Sequence, residues 1–257
     1  MLILAAISTA LLVWLASTGA ILWRVASADA VGHAAHRRTV ALSLPMLLLG
    51  VWGYAATLAD TSVSGAYGAF LSAIAIWGWI EMAFLSGVVT GPSRAPSRPG
   101  ASGTRRFLGA FATVAHRQLL VALALAGLFH LGHGAPNPFG LLTFALLLGA
   151  RATAEINLFL GVPRFHADLL PAHLAHLGSH LRRARPSLFF YVSLGALGAA
   201  TASFAGRVPG ADPGAATGWT LLATLALLAL AEHALMVTPL PDDRLWRRFQ
   251  PRLRPRA

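Results

Sequence analysis

The chain has 257 residues, 56% of them hydrophobic and only 11% charged, with a mean hydropathy of +0.64. A soluble domain carries about 25% charged residues, so the composition excludes a water-soluble globule and points to an integral membrane protein. The net charge of +11 rests on arginine alone. These arginines fall in short segments between apolar stretches, as the positive-inside rule places them, which argues against a nucleic-acid partner. Cysteine is absent, which removes disulfides, thiolate metal sites and cysteine nucleophiles.

A membrane-spanning helix needs about 20 mostly apolar residues. Seven windows meet that length, predicting an all-α polytopic membrane protein with spans at about 2–23, 39–59, 66–90, 107–130, 139–161, 187–206 and 217–238. Together residues 1–238 form one transmembrane domain. The first window has no basic residue at its amino end, and its apolar run outlasts the roughly 7–15 residues of a signal-peptide core; it is expected to be a retained span. Arg24, Arg37 and Arg38 follow span one, Arg94, Arg98, Arg105 and Arg106 follow span three, and Arg164, Arg182, Arg183 and Arg185 follow span five. Six more arginines lie in the tail 239–257, against Arg207 alone on the other side. The amino terminus is therefore expected outside and the basic tail in the cytoplasm.

Two cytoplasmic segments stand out. Residues 91–106 are rich in Pro, Gly, Ser and Arg and read as a flexible linker. Residues 166–183 carry Leu170, Leu174, Leu177 and Leu181 on one helical stripe, with His166, His173, His176 and His180 beside it. This pattern predicts an amphipathic helix lying in the interface with solvated histidines. His173, His176 and His180 share a face, but Asp168 is the one carboxylate nearby, and no metal site is assigned.

All three glutamates, Glu81, Glu155 and Glu232, lie inside predicted spans, together with Arg117 and Arg151. A charge near the bilayer centre costs roughly 2.5–3.5 kcal/mol, so such groups pair or perform a task. Counting from the inner span ends at 1.5 Å per residue puts them all about 9–15 Å deep. Arg151 and Glu155, spaced i, i+4, can meet on one helix face, which leaves Arg117 for Glu81 or Glu232. His116, Gln118, Asn157 and His233 add hydrogen-bonding capacity. Three readings stay open. The first is a neutralising network that fixes how spans three, four, five and seven pack. The second is a proton or ion path. The third is a tetrapyrrole site with His116 or His233 as the axial ligand. Deep Trp77 and Trp79 read as core packing, with stacking on a flat pigment as the alternative. Motifs for prenyl transfer, HExxH, GxSxG and a phosphate-binding glycine loop are missing from the sequence. No catalytic residues are assigned, and the chain is expected not to be an enzyme.

The segments TGAIL (18–22), AYGAF (66–70), WGWIEMAFLSGVVTGP (77–92), RRF (105–107), NLFLGVP (157–163), LPAHLAHL (170–177) and EHALMVTPLPDDRLW (232–246) occur in this order. In them the chain resembles the PuhE-type photosynthetic complex assembly proteins of purple phototrophic bacteria, over nearly its whole length. The resemblance implies an accessory role in assembling the photosynthetic reaction centre and core antenna, acting as a scaffold without catalysis. Its alternatives are a protein handling bacteriochlorophyll or a precursor, or a permanent photosystem subunit. It implies residence in the cell inner membrane or intracytoplasmic photosynthetic membrane. The implied partners are reaction-centre and core antenna subunits, other assembly factors and anionic lipid. Bacteriochlorophyll is the one cofactor it brings into view. The family pattern has His-Glu where this chain has His116-Arg117, Lys at Glu155 and His at Ile80. If residues 117 and 155 face each other, the double reversal keeps the pair neutral, which favours the packing network over a proton path.

Overall fold

A computed structural model describes residues 1–98, 100–165 and 170–238. The described residues are mostly helical and contain no strand. The helices are α1 (Leu2–Asp29), α2 (His33–Leu42), α3 (Leu44–Thr57), α4 (Val63–Leu85), α5 (Gly103–Ala112), α6 (Ala115–Gly132), α7 (Phe139–Leu160), α8 (Leu188–Ala205) and α9 (Pro213–Leu235), with a 3₁₀ segment over Ala172–His180. Seven segments are long and apolar enough to cross a bilayer, with α2 and α3 together making one of them. This is the architecture of a multi-pass membrane protein.

α4 and α9 form the inner layer and are far more buried than α1, α6 or α8. α4 packs on α3, α7 and α9, while α1 and α8 flank α9. Small residues allow the close approach of α1, α4 and α9: Ala6 and Ala10 meet Phe70, Leu221 and Leu225. On the other side of α4, Ala73, Ile76 and Ile80 pack with Tyr54, Val121, Leu128 and Phe144. Outward faces such as Leu48, Leu49 and Trp52, or Leu119, Leu123 and Phe129, stay exposed, as expected of surfaces solvated by lipid.

Three expectations change. The second span, placed at 39–59, begins at His33 and breaks at Ser43, because Pro45 carries no N–H and crowds the preceding turn. The fourth, placed at 107–130, divides into α5 and α6 at Thr113 and Val114. There the chain docks backbone-to-backbone on the segment after α4. Ser93 N–H donates to Ala112 O at 3.1 Å, and Arg117 N–H donates to Thr90 O at 2.9 Å. Gly91 permits this, since a Cβ there would collide with the Ala112–Val114 backbone.

The amphipathic helix placed at 166–183 is the third. Residues 166–169, including His166 and Asp168, lie outside the described residues, as does the tail 239–257. The segment Ala172–His180 is 3₁₀ rather than α-helical, entered from Pro171 and left through extended Leu181. Its histidines pack inward instead of facing solvent. His173 Nε2 reaches Leu85 O at 2.9 Å and His180 Nε2 reaches Ala95 O at 3.1 Å.

Candidate functional site

The charged residues sit near one end of the bundle. Glu81 lies four residues before the end of α4, and Glu155 and Arg151 lie five and nine before the end of α7. At 1.5 Å per residue this is about 6–14 Å from the helix ends. Arg117 is in the first turn of α6, and α4 ends at Leu85, so the level is shallower than the sequence-based count, which ran the third span to 90 and took α5 and α6 as one span.

Four of these groups close a ring of alternating sign. Arg117 Nη2 donates to Glu81 Oε1 at 2.5 Å, and its Nη1 donates to Glu155 Oε1 at 2.7 Å. Arg151 Nε donates to the same Glu155 oxygen at 2.9 Å, and its Nη2 stands 3.6 Å from Glu81 Oε2. Gln118 Nε2 donates to Glu155 Oε2 at 2.8 Å. The ring joins α4, α6 and α7. Arg117 is its buried centre, 1% exposed, with its guanidinium 5.0 Å over the Phe84 ring. The Arg151 side chain is 39% exposed and turns toward a groove.

That groove lies between α1, α4, α7 and α9 and encloses about 560 Å³. Its walls are Ile21, Leu22, Ile74, Leu146, Leu147, Leu225 and Leu228, with Trp14 and Trp77 facing in; Glu81, Arg151, Glu232 and His233 supply its polar end. Glu232 is accessible from the groove, hydrogen-bonds Trp14 and is attracted by Arg151. An apolar trough with one charged end suits a long amphiphile or an apolar helix carrying a polar group.

The remaining sequence candidates fall elsewhere. His116 is exposed on α6 and stands outside the ring. It neighbours Arg117 in sequence, and successive helical residues point about 100° apart, so one faces in and the other out. Asn157 is buried and donates through Nδ2 to Ser193 Oγ at 2.8 Å, tying α7 to α8. His233 is 2% exposed; its Nδ1 meets Ala229 O at 2.9 Å and its Nε2 meets Thr153 Oγ1 at 3.0 Å. The carbonyl can only accept, so in the neutral ring Nδ1 carries the proton and Nε2 is left as an acceptor facing the Thr153 hydroxyl, which also lies 2.9 Å from both Gly149 O and Ala150 O. Ligation of a pigment metal by Nε2 would have to displace that hydroxyl. Trp77 meets Phe144 edge-to-face at 5.5 Å, and Trp79 Nε1 donates to Val40 O at 3.3 Å. Trp14 and Thr153 carry no local spacing that would have marked them in the sequence.

On α5, Arg106 ties the last turn of α7 to the end of the 3₁₀ segment. Its Nη2 donates to Phe159 O at 2.5 Å and to His180 O at 3.2 Å, and its guanidinium stacks 3.9 Å over the Phe159 ring. Burial, and next the nearby Arg182, lower its pKa from the ordinary arginine value. Burial, with His36 alongside, holds the His173 imidazole below the usual histidine range, and burial does the same for His176.

Comparison with known proteins places this architecture among relatives. The family model described as a protein of unknown function, DUF3623, matches residues 1–256. A Rhodobacter capsulatus protein, named as an uncharacterized 30.4 kDa protein in the puhA 5' region, is 48% identical over 239 residues, covering 93% of this chain and 87% of that protein. No solved structure matches.

Proposed function

The chain belongs to the DUF3623 family, and from that premise we propose that it is a photosynthesis-related accessory membrane protein of the PuhE type. In this reading it holds apolar helices of nascent reaction-centre or core antenna subunits while the complex assembles, and it catalyses nothing itself. The name of the Rhodobacter capsulatus relative records a position beside puhA, and that context supports a photosynthesis-related role. The groove is the observation that carries the rest: it is large, open between four helices, apolar along its walls and charged at one end. The ring stiffens one wall by locking α4 to α7, so the groove is held open by ion pairs outside its apolar floor. The arginine-rich loops would keep this end of the bundle at an anionic leaflet, which fits residence in the inner or intracytoplasmic membrane.

The test is affinity purification of the full chain from mildly solubilised membranes of a pigment-producing host. Wild type should co-purify reaction-centre or antenna subunits and be colourless. Ala150→Phe, which narrows the groove from α7, should lose them while keeping wild-type helicity. Absence of those subunits from the wild-type preparation removes the scaffold reading. A stoichiometric red-shifted band lost in His233→Ala or His116→Ala would establish pigment handling instead, a reading that Trp14 and Trp77 on the groove wall favour. Stoichiometric retention in the mature complex would make the chain a permanent subunit.

A further inference from the structure

Three residues far apart in sequence converge beneath the bundle at its arginine-rich end. Asp29 is the last residue of α1, His36 lies one turn into α2, and His173 lies in the 3₁₀ segment. His36 Nε2 is 3.0 Å from Asp29 Oδ1, and His173 Nδ1 is 3.4 Å from the same oxygen. One nitrogen from each ring and a carboxylate oxygen all lie within 4.8 Å of one another. His36 is 3% exposed, and its ring meets that of His173 edge-on at 4.7 Å.

The hydrogen bonding of His173 leaves an electrostatic conflict. Its Nε2 is 2.9 Å from Leu85 O, and a carbonyl accepts but never donates, so Nε2 carries the proton of the neutral ring. The Nδ1 lone pair then confronts a carboxylate oxygen at 3.4 Å. Two acceptors facing each other repel unless a cation lies between them. The backbone contact is also the outer contact that metal-bound imidazoles use to fix tautomer and aim. Space for the ring is provided by Gly87, at φ +70°, where a Cβ would lie 2.5 Å from His173 Cδ2.

We propose that Asp29, His36 and His173 form a binding site for a zinc-class divalent transition ion, held through Asp29 Oδ1, His36 Nε2 and His173 Nδ1. Two imidazoles and one carboxylate are a donor set that such ions take. Ligands at zinc distances stand roughly 3.3 Å apart around a tetrahedron, and the two Asp29–histidine separations are close to that without rearrangement. Exposed His33 stands nearby, its ring centre 6.4 Å from that of His173. The ion would clip the α1–α2 turn to the 3₁₀ segment and the end of α4.

The experiment uses the full chain in detergent, purified without a histidine tag and stripped with chelator. Titration with Zn²⁺ should show one ion per chain, retained on dialysis, and a melting temperature raised by the ion. Asp29→Asn and His173→Gln should each weaken uptake at least tenfold and abolish the rise. Because either variant can misfold, wild type is also titrated with Co²⁺, which should give the visible d–d bands of a four-coordinate site that equimolar Zn²⁺ bleaches. No stoichiometric uptake by wild type, uptake unchanged in folded variants, or cobalt bands typical of six water-like ligands would each overturn the site. Full stabilisation by pH alone, without metal, would overturn it as well, because the cation between the lone pairs is then a proton.

Discussion

Arg117 Nη1 lies 2.7 Å from Glu155 Oε1 while Nη2 of the same guanidinium lies on Glu81, so one buried cation joins α6 to both α7 and α4. Because Arg151 completes the circuit, each charge in the ring has two neighbours of opposite sign. Removing one partner of a buried pair costs about 3–5 kcal/mol, and Arg117→Leu is expected near that cost, with loss of expression or a sharply lowered melting temperature. Exchange of Arg117→Glu with Glu155→Arg restores the 117–155 pair but sets Glu81 against a glutamate and Arg151 against an arginine. The double variant should therefore exceed either single variant in stability yet stay below wild type. Thermal melts of the four proteins decide it: full recovery would mean that the Glu81 and Arg151 contacts contribute nothing.

Gly91 lets two backbones touch where α6 begins. Gly91→Ala should push the Ala112–Val114 turn away and cost about 1–3 kcal/mol, as overpacking does. Gly127→Ala on α6 meets nothing within 4 Å and should be neutral or slightly stabilising through helix propensity. Equal melting temperatures for the two variants would show that the docked turn is not part of the stable structure.

Tyr54 is 1% exposed and its hydroxyl donates to Leu128 O at 2.7 Å, linking α3 to α6. Gly132 abuts the hydroxyl and Gly140 abuts the ring. Tyr54→Phe should cost about 0.5–1.5 kcal/mol. It should also relieve much of the damage of Gly132→Ala and little of that of Gly140→Ala. A double-mutant cycle measures both couplings, and equal relief at the two glycines would contradict this packing.

Arg106 serves two carbonyls and one aromatic face at once. Lysine has no planar fork to do so, so Arg106→Lys should lose about 1.5–3 kcal/mol of local stability. Hydrogen exchange at 172–182 reads this directly: protection should fall there while α4 and α9 stay unchanged. Wild-type protection of the segment in the lysine variant would assign the clamp to other contacts.

Hydropathy marks seven apolar segments because a bilayer imposes length and composition on a span irrespective of its neighbours. The i, i+4 spacing marks Arg151 with Glu155, since a single helix sets that contact. Contacts between distant segments leave no such trace. The break at Thr113 depends on Thr90 and Gly91, well upstream in the chain. Whether His116 or Arg117 faces inward depends on where α6 starts. The 3₁₀ segment keeps the leucine and histidine pattern of an interfacial helix, yet Leu85, Ala95 and Asp29 draw its histidines under the bundle. Asp29, His36 and His173 share no spacing, so their meeting appears only once the chain is folded.

The circuit of four charges also bears on how the polypeptide enters the bilayer during synthesis. Glu81 emerges first and waits for Arg117, with which it makes a neutral couple between consecutive spans. α7 then arrives already carrying Arg151 and Glu155 in contact. Taken as the α4–α6 pair and then α7, the charges of the ring would enter as two near-neutral units, so that before Arg117 follows it Glu81 alone would be uncompensated, at roughly 2.5–3.5 kcal/mol.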